Sequence, residues 1–447
     1  MALDVLGGAC RDFADDVAIV HHDHSSTYRQ LAAEIAAASR RLAAAGIGPG
    51  AVVALEADYS PAGIAALLAL FASGAIAVPL APSSQARHAA LRGLAQAEWR
   101  IAIAAAGAWR IEATGHRADH ALYAALRGDQ HAGLVLFTSG SSGEPKASVH
   151  DVERLLRKYH TRRQRVRTLL FLLYDHIGGV DTLLQALSNG SAAIIPADRS
   201  PEGVCLTIER HRVEVLPAAP SFLTMLLLSE AHRRHDLSSL RYITYGAEVM
   251  PQATLDRLAR EFPDVTLLQK YGITEVGTLR SKSRANDSLW VKLGGEGFAT
   301  RVVDGMLEIK AESSILGYLN APAPFTADGW FITGDAVEVD GEYLRILGRA
   351  SDLINVGGRK VYPAEVEGVI LELAEIREAA VFGEPHPFTG HVVMARVTAR
   401  DPASEAGAIE RRVRDHCRAR LEPYKVPVRV HLSADLLHTE RQKTTRG

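Results

Sequence analysis

The 447-residue, 48.2 kDa chain is too long for one compact core and points to about two or three domains. Its 47% hydrophobic and 23% charged residues exclude collagen-like, disordered and coiled-coil classes. A formal net charge of -2 supplies no long-range field for nucleic acid or an anionic membrane, and Cys10, Cys205 and Cys417 lack the spacing of a zinc cluster or disulfide framework, which fits a reducing cytoplasm.

The first 13 residues carry Asp4, Arg11 and Asp12 and no continuous apolar run, which argues against a secretory signal. Thr27 followed by Gln30 has the form of a capping box opening a helix over 28–45, stopped at Gly46. A short apolar strand follows at 51–55. The stretch from Gly63 to Pro82 holds no charge and is about one membrane thickness long. Its small residues, with Gly74 and Pro79, read instead as a buried helix over 62–72 and a buried strand over 75–80. Residues 85–130 are Ala-rich and give no assignment. From Gly133 come an apolar strand, a glycine-serine loop and a helix from near Asp151. Strand-like runs at 168–173, 192–195, 213–216 and 242–245 alternate with helices such as 220–229 and 252–262. This alternation predicts an α/β domain with a parallel sheet and ligand loops at the carboxyl ends of its strands. After about residue 286 short strands appear at 307–309, 330–332, 336–339 and 343–346, the last two split by the hairpin signal Asp340-Gly341. A small α/β segment then runs to the end.

The segment from Leu134 to Lys146 is the strongest chemical feature. A buried strand enters a loop of Thr138, Ser139, Gly140, Ser141, Ser142 and Gly143, and Lys146 closes it. Glycines let backbone N–H groups turn inward, hydroxyls add donors and the lysine adds a point charge, which suits a polyphosphate. No Gly-Lys-Ser/Thr is present, so this is not a Walker A loop. A serine-nucleophile amidase loop and a plain surface turn remain alternatives at this point.

Three more segments follow in order: Tyr271-Gly272-Ile273-Thr274-Glu275, Gly329 to Asp335, and Gly348 to Glu367. With these four motifs the sequence resembles the adenylate-forming superfamily of acyl-CoA synthetases, peptide-synthetase adenylation domains and luciferases. The resemblance implies a large N-terminal α/β domain of sheet-helix layers with a small β-region, about 1–349, and a small mobile C-terminal α+β domain, about 350–447. It implies that Thr138 to Lys146 grips the ATP phosphates and that Gly246, Ala247 and Glu248 flank the adenine. Tyr271, with Gly272 beside it, stacks near the adenine, Thr274 bonds the α-phosphate and Glu275 holds Mg²⁺, a cation that takes oxygen ligands. Asp335 accepts both ribose hydroxyls and Arg349 binds ribose or α-phosphate. Lys443 corresponds to a terminal lysine that stabilises charge during adenylation.

The tail departs from the family in Glu440 and Gln442, the hinge position in Ser351, and a frequent lysine in Asn355. Tyr174, Asp175, His176 and Gly179 fall where relatives line the acid pocket. Asp175 is read either as an amine partner or as a helix N-cap. The cluster His21, His22, Asp23 and His24 reads as a solvated turn rather than a metal site. The basic run from Arg157 to Arg167 reads as a solvated face, with docking of an acidic carrier protein or the CoA phosphate as a lesser option. The implied activity is ATP-dependent formation of an acyl-adenylate and transfer to a thiol of CoA or a phosphopantetheinyl carrier, in the cytoplasm and without membrane insertion. Adenylation of another oxyanion such as nitrite, or a non-catalytic nucleotide-binding relative, are the alternatives.

Overall fold

Helix Pro61–Ala72 is apolar on every side, so it must be covered all round. Its start is set locally: Pro61 occupies the first turn and the Ser60 hydroxyl accepts from Gly63 N at 3.0 Å. The cover comes from two sheets. The structure, a computed structural model, describes residues 4–104, 107–139, 144–401, 403 and 405–433. Among these, one seven-stranded sheet runs in the order Thr266–Gln269, Tyr242–Tyr245, Val215–Ala218, Thr168–Leu169, Ala193–Ile195, Val17–His21, His24–Thr27. Its pairs are parallel except the last. The other runs Gly317–Tyr318, Pro145–Asp151, Gly133–Ser139, Ile76–Leu80, Val52–Glu56, Trp99–Ile103, Trp109–Ala113, with a parallel centre and antiparallel edges.

Helices Tyr28–Ala44, Pro61–Ala72 and Ile177–Ser188 fill the space between the sheets in one apolar core. Thr27 and Gln30 form the expected capping box. Helices Pro201–His211, Pro220–Ser229 and Gln252–Glu261 cover the outer face of the first sheet, and His88–Leu94 with Ala121–Asp129 cover that of the second. The result is the layered α/β arrangement expected of the large domain. No described helix is long and apolar enough to cross a membrane.

A six-stranded antiparallel sheet follows, with Phe331–Asp340 and Tyr343–Arg349 as its central hairpin. A single turn, Ala350–Asp352, holds Ser351 and leads to the C-terminal sheet, built from Ile354–Val356, Arg359–Val361, Ile376–His386, Gly390–Ala399 and Arg429–Leu432. That sheet and helices Pro363–Ile370 and Ala406–Arg418 enclose a separate apolar core.

Several expectations are corrected. The helix expected from near Asp151 is present as Val152–Leu156, capped by Asp151, but a strand not expected, Pro145–Asp151, precedes it antiparallel to Gly133–Ser139. The run 168–173 forms a strand only at Thr168–Leu169; beyond it the Phe171 carbonyl accepts from Arg199 Nε at 3.1 Å. The strands expected at 330–332 and 336–339 are one, Phe331–Asp340, whose register against Tyr343–Arg349 shifts between Ala336 and Val337. Among the described residues, 85–130 hold two helices, His88–Leu94 and Ala121–Asp129, and the antiparallel strands Trp99–Ile103 and Trp109–Ala113, where the Ala-rich sequence gives no assignment.

Candidate active site

Strand Thr266–Gln269 ends in the first sheet, and the chain turns through a tight hairpin pairing Gly272–Ile273 with Gly277–Thr278. A Cβ on Gly272 would lie 2.9 Å from both Gly277 O and Thr278 Cα, so only glycine fits there. Tyr271 stands at the base of this hairpin, buried, and its hydroxyl donates to Asp335 Oδ2 at 2.5 Å. Asp335 is the direct cross-strand partner of Arg349. Arg349 Nε reaches Asp335 Oδ1 at 2.8 Å while another guanidinium nitrogen donates to Thr333 O at 2.8 Å. Burial pushes the Asp335 carboxyl above its usual range, and Arg349 and Tyr271 pull against it. Burial, then the Asp335 charge, hold the Tyr271 phenol well above its usual value.

The hairpin tip carries Thr274 and Glu275. Thr274 offers a hydroxyl that makes no hydrogen bond among the described residues. Glu275 Oε1 accepts from Tyr318 OH at 2.6 Å. Tyr318 is the strand partner of Ser148 and lies under Lys146, whose Nζ is 5.4 Å from the ring centroid. Lys146 is in turn the cross-strand partner of Thr138, so both side chains leave the same face at the mouth of the glycine-serine segment. Asn320 clamps that mouth: its Oδ1 accepts from Ala147 N at 3.0 Å and its Nδ2 donates to Pro145 O at 2.9 Å. Gly140, Ser141, Ser142, Gly143 and Lys443 lie outside the described residues, and of Ser139 the backbone pairing with Pro145 is described.

Strand Tyr242–Tyr245 ends beside the hairpin. Gly246 packs against Lys270, with room for no Cβ: Lys270 O would be 2.5 Å away. Ala247 adopts φ 70, a left-handed conformation costly for a residue with a Cβ. Glu248 Oε2 accepts from Ser221 N at 3.1 Å, which draws its side chain to the start of helix Pro220–Ser229.

The segment 174–179 divides. Tyr174 is fully buried, its hydroxyl donates to Gly63 O at 3.0 Å, and its ring meets Tyr59 edge-on at 5.3 Å. It therefore packs in the core. Asp175 is buried, with Oδ2 accepting from Ala81 N at 3.3 Å and Ser84 Oγ at 3.4 Å. It is not the N-cap: helix Ile177–Ser188 is preceded by His176, which is partly exposed. Gly179 is required by packing, since a Cβ would fall 2.0 Å from Leu173 O. Several members of the discounted clusters are held in ion pairs: Asp23 with Arg210, Arg157 with Glu312, Arg162 with Asp12 and Arg165 with Asp16. An apolar cavity of about 670 Å³, walled by Leu6, Cys10, Tyr28, Leu31, Ile35 and Leu68, contains none of the candidate residues.

Tyr318, Asn320, Thr333 and Lys270 were absent from the expected site. Lys270 and Thr333 had a local signal, Lys270 next to Tyr271 and Thr333 two residues before Asp335.

The AMP-binding enzyme family model matches residues 8–304, and that of the AMP-binding enzyme C-terminal domain matches residues 365–443. A (methyl-dioxo-octahydroindenyl)propanoyl:CoA ligase of Mycobacterium tuberculosis is 30% identical, with 95% of this chain and 93% of the relative aligned. A long-chain-fatty-acid–CoA ligase of the same organism is 30% identical over 66% of this chain and 63% of its own length. The solved structure of an anthranilate CoA ligase in complex with anthranoyl-AMP superposes with a TM-score of 0.81 at 21% identity, covering 100% of this chain and 95% of that one.

Proposed function

This chain belongs to the AMP-binding enzyme family, and from that premise we infer that it uses ATP to activate a carboxylic acid as an acyl-adenylate and then transfers the acyl group to the thiol of CoA. CoA is favoured over a carrier protein because the named relatives are CoA ligases. We place the reaction in the cytoplasm, where ATP and CoA are both present.

The observation that carries the site assignment is the clasp of Tyr271, Asp335 and Arg349 beside the chain Glu275–Tyr318–Lys146. The residues fit a nucleotide. A carboxylate has about four lone-pair sites. Tyr271 and Arg349 occupy one on each oxygen of Asp335, which leaves room for two ribose hydroxyls. Glu275 has a second carboxylate oxygen with no hydrogen-bond partner among the described residues, the kind of donor Mg²⁺ takes. When bound there, Mg²⁺ would offset phosphate charge.

In this reading Thr138, Lys146 and the glycine-serine segment hold the β- and γ-phosphates, and Gly246, Ala247 and Tyr271 bound the adenine. The acid's carboxylate oxygen attacks the α-phosphorus; the P–O bond to pyrophosphate breaks as the acyl–O–P bond forms. Thr274 and Lys443 donate to the oxygens that gain charge. The small domain, about 350–447, turns on the Ala350–Asp352 segment. Gly357-Gly358, a turn with both φ positive, then approaches the site, and the CoA sulfur attacks the acyl carbon as AMP leaves. His176 and the start of helix Ile177–Ser188 bound the acid.

Acid-dependent exchange of labelled pyrophosphate into ATP tests the first step, and thioester formation on adding CoA tests the second. Acid-stimulated exchange followed by thioester is expected; phosphate release without exchange contradicts the reading.

A further inference from the structure

The hairpin under Glu275 continues one step outward, because Leu279 N donates to Tyr271 O at 3.0 Å. The next residue on each arm is basic: Lys270 and Arg280. Lys270 N donates to Tyr245 O at 2.7 Å, and its Cβ would lie 3.5 Å from one built on Gly246. Its side chain thus starts in the corner formed by Gly246 and Tyr271.

Helix Ile177–Ser188 packs against the Gly277–Thr278 arm and brings Asp181 to the same place. Asp181 is already engaged: its Oδ1 accepts from Lys158 Nζ and from Tyr159 OH at 2.5 Å, and Lys158 Nζ also reaches Thr278 O at 3.3 Å. Burial pushes the Lys270 ammonium below its usual value; Asp181 opposes this, while Arg163 and Lys158 add to it. Burial and then Arg280 act the same way on Arg163. The side chains of Lys270, Arg163 and Arg280 make no ion pair or hydrogen bond among the described residues. Lys158, Lys270 and Arg163 therefore share one carboxylate, with Arg280 beside Arg163, in a chain whose net charge is -2. Lys270 is half-buried and lacks a partner among the described residues, and an incoming anion would supply one, with the exposed Arg163 and the half-buried Arg280 adding to the positive field.

We propose that Lys270, supported by Arg163 and Arg280, binds a second carboxylate on the acid substrate, so that this enzyme selects dicarboxylic acids. The proposal rests on the acid-activation reading above. The acid is preferred to the phosphate of CoA as the source of the anion because Asp181, the neighbour of Lys270, lies on the helix that follows His176, which bounds the acid.

The test is pyrophosphate exchange without CoA, over straight-chain and aromatic diacids, each beside the monoacid of equal carbon count. At least one diacid exceeds its partner in kcat/KM by about tenfold or more, Lys270→Met collapses that ratio by about tenfold, and Lys270→Arg keeps it. Exchange with monoacids and no favoured diacid overturns the proposal and leaves the activity intact. So does Lys270→Met that lowers both acids equally with a raised KM for ATP. Calorimetric titration of the diacids is the second measurement. Binding to wild type but not to Lys270→Met supports the proposal even without exchange, in which case the activity reading fails alone; no diacid binding overturns it.

Discussion

The Tyr271 hydroxyl donates to Asp335 at 2.5 Å and joins the end of the parallel sheet to the antiparallel sheet that follows it. Arg349 holds the other oxygen of the same carboxylate. Both contacts oppose the rise that burial imposes on the Asp335 carboxyl, and lone pairs are left over. This poise is the property that ribose binding needs.

Tyr271→Phe removes a hydrogen bond that lowers the Asp335 pKa, in a site where burial already raises it. The ionised carboxylate is the form that accepts ribose hydroxyls. The acid limb of kcat/KM for ATP therefore moves to higher pH in the variant, and ATP affinity at neutral pH falls about tenfold. A pH series of pyrophosphate exchange measures both; an unmoved acid limb contradicts the coupling.

Tyr318→Phe keeps the ring beneath Lys146 but frees Glu275 Oε1. Loss of a hydrogen bond to a charged group costs about 1.5–3 kcal/mol, so exchange falls roughly tenfold or more. The loss is expected to shrink at high Mg²⁺, because a loosened carboxylate still binds the ion when the ion is abundant. A deficit independent of Mg²⁺ assigns Tyr318 to Lys146 instead.

His150 stands in strand Pro145–Asp151, buried, with neither ring nitrogen partnered among the described residues. Burial lowers its pKa from 6.5 to about 3. Between those values the unfolded chain binds a proton that the folded chain refuses, so stability falls as pH drops through that window. His150→Leu removes about 1.4 kcal/mol per pH unit from that slope and raises stability at neutral pH by about 1 kcal/mol. Urea unfolding at several pH values reads the change; an identical slope in wild type and variant contradicts it.

Features set by short stretches of chain were legible beforehand. The Thr27–Gln30 box, the buried helix over 62–72 and the Asp340-Gly341 turn depend on neighbours in sequence, and all are present. The four motifs likewise led to the Tyr271, Glu275, Asp335 and Arg349 assembly. What escaped was contact across the chain. Tyr318 meets Glu275 over 43 residues, and nothing local in Gly317-Tyr318 announces it. Tyr174 looked like a pocket residue because relatives line the acid pocket at that place, but its hydroxyl found Gly63 O in the core. Lys270 looked ordinary until helix Ile177–Ser188 brought the charges around Asp181 beside it.

Lys443→Ala separates the two half-reactions. If Lys443 stabilises only the adenylation transition state, exchange falls by about 10²–10³. Conversion of a supplied acyl-adenylate to thioester changes far less. Rapid-quench assays of each step check this, and equal losses in both contradict a role confined to the first.

The most direct measurement is acid-dependent pyrophosphate exchange by wild type beside Asp335→Ala, with ATP affinity determined on both. Wild type exchanges label with at least one acid, and the variant loses ATP affinity by about 10-fold or more with exchange falling in step. Undiminished ATP binding and exchange in Asp335→Ala would place the nucleotide elsewhere and contradict the site described here.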